Sequence, residues 1–308
     1  MTGPDILCLG EPMLEYNQQP KTPDGSSLYL EGHGGDTSNA AIAAARSGAS
    51  AGMVARLGDD RPGRSFFELW AAERVSAACV GTDPDAPTGI YFVSHGAHGH
   101  DFTFYRRGSA ASRMTPRDVP EAAIRQARFL HLSGISLGIS ETACDAAFHA
   151  MAVAREAGVK ISFDTNLRLR LWPLKRAAAC IHAAVAMADI AFPSLDDAQA
   201  LTGLHRPDAV ADFYLALCPL VVLKLGAEGL MLATREGRQR IPGFRVKAVD
   251  ATGAGDTLAG AMLARLAAGD AVAEAALYAN AAAALSTTGY GAVAPIPREA
   301  AVRDLLSR

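Results

Sequence analysis

Short apolar runs alternate along the chain with longer Ala-rich segments whose apolar positions recur at helical spacing. The runs Ile6–Gly10, Gly52–Gly58, Phe129–Ser133, Lys160–Asp164, Asp189–Ser194, Val221–Leu225 and Leu230–Thr234 predict strands. The segments Ser38–Ser47, Ser65–Glu73, Thr142–Ala157, Arg176–Met187, Asp196–Thr202 and Asp256–Ala268 predict helices. Strands as continuously apolar as Val221-Val222-Leu223 fit a parallel sheet covered on both faces. The alternation therefore predicts an α/β fold with right-handed crossovers. One region breaks it: Thr88–Ser94 and Asp101–Arg106 flank a Gly/His turn with no helix between them, and Leu28–Glu31 is a further β-like piece. These predict a small antiparallel flap, drawn from residues 12–33 and 88–108, on a single domain spanning 1–308.

Composition narrows the function classes. Of the 308 residues 50% are hydrophobic and 20% charged, and the formal net charge of -3 leaves no surplus for binding a phosphate backbone, so a nucleic-acid partner is not expected. The five cysteines are scattered with no CxxC pair, which argues against a zinc site or a disulfide framework. The uncharged stretch Ala275–Pro297 has the length of a membrane span, but Asn280, Gly289, Gly291 and two prolines interrupt it. It reads as a buried helix followed by a glycine loop. Asp5 stands where an export signal needs basic residues, so a cytoplasmic protein with no membrane contact is expected.

The polar residues cluster where the predicted strands end: Gly10-Glu11, Ser133-Gly134, Asp164-Thr-Asn166, Ser194 to Asp197, and Lys224-Leu-Gly226. Open parallel sheets bind ligands at that carboxyl edge. The most informative motif is Asp250-Ala-Thr-Gly-Ala-Gly-Asp256, between a predicted strand (Phe244–Val249) and a long helix. Gly253 and Gly255 permit a tight turn that points several N–H groups at one spot, beside the positive end of the helix. Asp256, in or next to the first turn, is placed to accept a proton from an attacking hydroxyl. The plainer alternative is a helix cap on a glycine turn. A second glycine element, Gly34-Gly-Asp36-Thr-Ser-Asn39, opens an Ala-rich helix that stops at Gly48, and its Asp36 and Asn39 offer hydrogen bonds to hydroxyl groups.

Together these two elements closely resemble the signatures of the ribokinase-like (phosphofructokinase-B type) carbohydrate kinases, and the likeness runs from Ile6 to Pro297. The strings Gly10-Glu-Pro-Met, Phe129-Leu-His-Leu-Ser-Gly-Ile-Ser, Phe163-Asp-Thr-Asn-Leu-Arg-Leu-Arg-Leu-Trp172 and Asp189-Ile-Ala-Phe are similar to the subgroup that phosphorylates 2-keto-3-deoxygluconate at its primary hydroxyl. The resemblance implies a three-layer α/β/α sandwich with a mainly parallel central sheet and a small β lid. Asp256 would be the general base, and Gly253, Ala254 and Gly255 would hold the developing charge. Gly34, Asp36 and Asn39 would position sugar hydroxyls, Tyr91 would line the pocket, and Arg106 and Arg168 would address a carboxylate. Planar guanidinium forks suit that task. Ser194, Lys224, Gly226, Gly229 and Asn280, with the loop Thr288–Ala292, would serve the nucleotide, and Asp197 a metal ion through water. ATP and Mg2+ are the implied cofactors, K+ is an additional candidate ion, and homo-oligomers through the β lid are implied as well.

Departures from the subgroup bear on the substrate. Ser194 and Asp197 are shorter than the Asn and Glu of the wider family, and Phe104 and Leu167 replace frequent tyrosines, so fructose, ribose or a related acid sugar stays open. A non-catalytic sugar-binding regulator is the non-enzyme alternative. A hydrolase is the other: Gly134-Ile-Ser136-Leu-Gly138 fits GxSxG. Against it, the next helix is expected only at Thr142, and no His follows His205 to complete a triad. The cluster His95-Gly-Ala-His98-Gly-His100 reads as a hairpin turn more simply than as a metal site, and Arg107 and Arg170 read as solvated surface.

Overall fold

Burial on both faces orders the central sheet. Strand β1 (Ile6–Leu9) sends Ile6 and Cys8 into one apolar core and Leu7 and Leu9 into another. A strand between two cores must be apolar at consecutive positions, which is why alternation is missing from the sequence there. The computed structural model describes residues 3–96 and 99–308. After β1 come β2 (Met13–Gln19), β3 (Leu28–Gly34), α1 (Asp36–Arg46), β4 (Ala51–Gly58), α2 (Arg61–Ala72), β5 (Val75–Asp83), β6 (Gly89–Gly96) and β7 (Gly99–Tyr105). The middle of the chain supplies α3 (Glu121–Ile124), β8 (Phe129–Ser133), α4 (Gly134–Gly138), α5 (Glu141–Glu156), β9 (Lys160–Asp164), α6 (Leu174–Val185) and β10 (Ile190–Phe192). The remainder is α7 (Leu195–Thr202), α8 (Pro207–Leu215), β11 (Leu220–Lys224), β12 (Gly229–Thr234), β13 (Gly237–Pro242), α9 (Ala254–Ala268), α10 (Val272–Ser286) and α11 (Glu299–Leu306).

Nine strands form the main sheet in the order β13-β12-β11-β10-β9-β8-β1-β4-β5. From β5 to β11 all pairs are parallel, and β12 and β13 are added antiparallel at one edge. The chain builds outward from β1 in one direction, to β4 and β5, and then from β8 in the other. The order reverses between β1 and β8, which opens a crevice outside their carboxyl ends. Helices α1, α2, α9, α10 and α11 contribute to the first core, and α5, α6 and α8 to the second. Among the described residues no helix is long and apolar enough to cross a membrane.

The remaining strands form a second sheet, β3-β2-β6-β7. It is not wholly antiparallel as expected, because β2 pairs with β6 in parallel. Both strands leave the carboxyl edge of the main sheet, after β1 and β5, so they must run the same way. Asp60 pins the base of this sheet: its carboxylate accepts bonds from the Thr88 N–H (2.8 Å), the Thr88 hydroxyl (2.8 Å) and the Gly63 N–H (2.7 Å).

Two local expectations are corrected. Residues 244–249 are not a strand. The hairpin β12–β13 takes the sheet edge instead, and beyond it Gly243 packs so closely on the Ala227 carbonyl that a Cβ would lie 2.1 Å from it. A helix follows β8 at once as α4, because the Ser133 hydroxyl caps it by accepting the N–H groups of Ile135 and Ser136. One argument against a hydrolase therefore falls. Another replaces it: the Ser136 hydroxyl is buried and donates to the Leu9 carbonyl (2.8 Å), so it is no exposed nucleophile. His98 and the side chain of His100 lie outside the described residues.

Helices α1 and α9 approach closely because Gly260 faces Ala40, where a Cβ would stand 2.0 Å from the Ala40 carbonyl oxygen. Gly260→Ala is therefore expected to destabilise the protein by roughly 1–3 kcal/mol through overpacking. The check is urea unfolding: a lower midpoint at unchanged slope is expected, and an unchanged midpoint would refute the close contact.

Candidate active site

At the switch point the chain comes out of β3 through Gly35, whose φ is 110° and where a Cβ would lie 2.6 Å from the Glu11 carbonyl oxygen, leaving no room for a side chain. That turn starts α1 with Asp36 and Asn39 one turn apart on one face. Asp36 accepts hydrogen bonds from the Ser133 hydroxyl and from Asn166 Nδ2 (2.9 Å), while its Oδ1 is buried with no partner. Asn39 donates through Nδ2 to Asp256 (2.8 Å), and its Oδ1 is likewise buried and unpartnered. Two orphaned acceptors beside one crevice are suited to ligand hydroxyl donors, since buried polar atoms otherwise find protein partners.

The start of α9 faces them. Asp250 shapes the turn by accepting the Thr252 N–H (2.9 Å) and hydroxyl (2.6 Å) on one oxygen and the Gly291 N–H (3.0 Å) on the other. Gly253 takes the left-handed conformation (φ 75°) and lies against Ala292, which brings the Thr288–Ala292 loop onto the turn. The Ala254 N–H is already donated to the Ala251 carbonyl (3.2 Å), so Ala254 is not the free donor expected of it. The donors left for an anion are its neighbours at the helix start, where first-turn N–H groups lack intrahelical acceptors.

Lys224, at the end of β11, supplies the local cation. Its Nζ contacts Asp164 Oδ2 (2.5 Å) and stands 3.2 Å from where a Cβ on Gly255 would be. Burial pushes the Asp256 carboxyl up to about 7, Asp36 adds to the rise, and Asn39 and Lys224 oppose it. A carboxylate so poised exchanges protons near neutral pH. Asp197 is also raised, by burial first and then by the nearby Asp164.

The other expected residues have mixed placements. Ser194 caps α7, its hydroxyl accepting the Asp197 N–H (3.1 Å), and Asp197 accepts the Leu167 N–H (3.1 Å). Gly226 (φ 61°) is open, with nothing within 4 Å of a Cβ position. Gly229 is required by the hairpin, where a Cβ would lie 2.2 Å from the Ile241 carbonyl. Asn280 is buried and donates Nδ2 to the Pro242 carbonyl (2.8 Å), so that amide braces the backbone between β13 and α10. Gly34 makes room for Tyr91, whose hydroxyl would be 2.4 Å from a Cβ there and donates to Glu15. Arg106 is ion-paired with Glu11, so its fork is not wholly free for a ligand as expected. Arg168 is exposed on the loop after β9 and donates to the Leu167 carbonyl (2.8 Å). Arg170 is more than solvated surface, since it donates to the Phe102 carbonyl of edge strand β7.

Sequence reasoning gave no role to Glu11, Ser133, Asp164 or Asn166, all buried here. The signal was present, because each stands at a strand's carboxyl end. Asn166 carries a second mark only the backbone reveals, a positive φ of 30°. Strain of that kind in a non-glycine residue concentrates at functional sites.

A parallel sheet with a switch-point crevice, a glycine turn opening a helix, and a carboxylate poised beside a lysine define a phosphotransferase-type site. The model of the pfkB family of carbohydrate kinases matches residues 5–299. The chain is 36% identical to the 2-dehydro-3-deoxygluconokinase of Thermoproteus tenax, over 96% of this chain and 92% of that protein. It is 33% identical to fructokinase-1 of Zea mays, over 98% of each. The crystal structure of a fructokinase with bound ATP from Xylella fastidiosa superposes with a TM-score of 0.89 at 27% identity, covering 98% of each chain. The chain belongs to the pfkB family of carbohydrate kinases and has the ribokinase-like α/β fold.

Because Lys224 holds the proton affinity of Asp256 down, Lys224→Met should move the Asp256 titration to higher pH. Carboxyl 13C NMR of aspartate-labelled protein reads this directly. A shift to lower pH, or none, would remove Lys224 from the electrostatics of the site.

Proposed function

We propose that this carbohydrate kinase transfers the γ-phosphoryl group of ATP to the primary hydroxyl of 2-keto-3-deoxygluconate. The observation that carries the transfer is Asp256, raised toward neutrality at the start of α9 and held by Asn39 beside the glycine turn and Lys224. In the step, the hydroxyl oxygen bonds to the γ-phosphorus, the bond to the bridging oxygen of ADP breaks, and the hydroxyl proton goes to Asp256. First-turn N–H groups and Lys224 meet the negative charge on the phosphates, so catalysis is positioning and electrostatic stabilisation. Asp36 Oδ1 and Asn39 Oδ1 take sugar hydroxyls.

Asp197, raised by burial and by the nearby Asp164, is the carboxylate that would hold, through water, a divalent cation arriving with the nucleotide. When bound, Mg2+ supplies charge neutralisation on the phosphates. K+ remains part of the same proposal. The second sheet is read as a lid that closes over the sugar, and its exposed Leu30, Tyr29 and Tyr105 fit self-association into a homo-oligomer. The proposed setting is the cytoplasm, where ATP is available.

The acid sugar rests on Arg106 and Arg168, with the Thermoproteus tenax relative in support. Fructose is the second reading, favoured by the similarly close maize fructokinase and by the partial commitment of Arg106 to Glu11. ADP release with Mg-ATP separates them across 2-keto-3-deoxygluconate, gluconate, fructose, ribose and adenosine. Preference for the keto-deoxy acid is expected, and preference for fructose would overturn it. On the preferred sugar, Asp256→Asn should lower kcat by about 10²–10⁴. Wild-type kcat should rise with pH through about 7, because only the deprotonated base accepts the proton. Arg168→Ala should raise KM more for the acid sugar than for a neutral ketose, and equal losses would mean that Arg168 reads no carboxylate.

A further inference from the structure

Arg106 enters the site from the end of β7, and the carboxylate that holds it there has no role in the phosphoryl transfer. Glu11 follows β1 directly and is 1% exposed. Its oxygens receive hydrogen bonds from Arg106 and from the Ser109 hydroxyl (2.9 Å). A Cβ on Gly89 would stand 3.0 Å from Glu11 Oε1, so the first residue of β6 must be small to admit this carboxylate. The Glu11 backbone carbonyl meanwhile lies against Gly35, in the turn that presents Asp36.

A buried carboxylate is a costly way to fill space. Desolvation penalises it, and an apolar side chain of similar volume often serves a core equally well or better. Burial pushes the Glu11 proton affinity up, Arg106 and Ser109 draw it back, and Asp36 adds to the rise. What a carboxylate provides that an apolar residue does not is a fixed orientation for a guanidinium. Arg106 is accordingly largely buried, lies over the Phe104 ring (5.8 Å to its centroid), and keeps its Nε buried with no partner. Its donors are only partly used.

We propose that Glu11 is a positioning residue for sugar recognition, which fixes the Arg106 guanidinium at the junction of the two sheets so that its remaining donors engage the substrate. The inference rests on the reading of Arg106 as a sugar-binding residue and deepens it. The acid or hydroxyl end of the sugar then meets an arginine already oriented, and ATP binding does not depend on the pair.

A double-mutant cycle tests it with steady-state kinetics on wild type, Glu11→Gln, Arg106→Gln and the double variant. Glu11→Gln is expected to raise the sugar KM about tenfold, the scale of one charge-assisted hydrogen bond, with kcat and the ATP KM changed less than about twofold. In the Arg106→Gln background the same substitution should change the sugar KM by less than about twofold. An equal factor in both backgrounds, or no change in either, overturns the proposal. Thermal melts separate the structural part: each single variant strands a buried partner and should melt lower, while the double variant should recover melting without recovering KM. Recovery of both would make Glu11 purely structural and also overturn it. If Arg106→Gln does not fold, Arg106→Lys takes its place, keeping the charge but losing the fork. The cycle is run on whichever sugar the wild type prefers. Failure of the acid-sugar reading thus appears in the wild type alone, whereas failure of the Glu11 proposal appears only in the cycle.

Discussion

The concentration of carboxylates at the carboxyl edge of the sheet is the constraint on which the rest of the structure depends. Asp36, Asp164, Asp197 and Asp256 come together there from α1, β9, α7 and α9, with Lys224 as the nearest ammonium. Like charges in a partly dry crevice oppose one another, so the cluster persists only with compensation. Lys224 answers Asp164, Asn166 and Ser133 answer Asp36, Asn39 answers Asp256, and backbone N–H groups answer Asp197 and Asp250. What stays uncompensated is the useful remainder: a carboxyl near neutrality at Asp256 and two orphaned oxygens at Asp36 and Asn39.

The same constraint explains why the glycines sit where they do. Gly35 and Gly253 let backbone pass where a side chain would collide, and each delivers a helix start to the crevice with its acid in the first turn. Gly260 allows α9 to lie close on α1, one turn from the hydrogen bond that Asn39 gives Asp256.

The second sheet brings a different kind of control. It is tied to the main sheet at its base by Asp60 with Thr88, by Glu11 with Arg106, and by Arg170 reaching the β7 edge. All three ties are polar, two of them buried or partly so. They join Arg106, the loop after β9 and the β6 start to one frame.

The sequence by itself determined the α/β class, most strand and helix positions, and the two glycine elements, because periodicity and glycine placement are local properties of a chain. Asp256, Asp36, Asn39 and Lys224 were legible for the same reason: each stands at a fixed offset from a turn or strand end. Only the tertiary structure decided what those groups touch. It joined Asn39 to Asp256 across 217 positions and Glu11 to Arg106 across 95. It also gave Asn280 a backbone carbonyl to brace and Ser194 a helix to cap. Pairings of that kind follow from how helices and strands pack, and no spacing along the chain encodes them. The parallel entry of β6 beside β2 and the loss of a strand at 244–249 have the same origin, since a sheet edge goes to whichever segment reaches it with unpaired backbone groups.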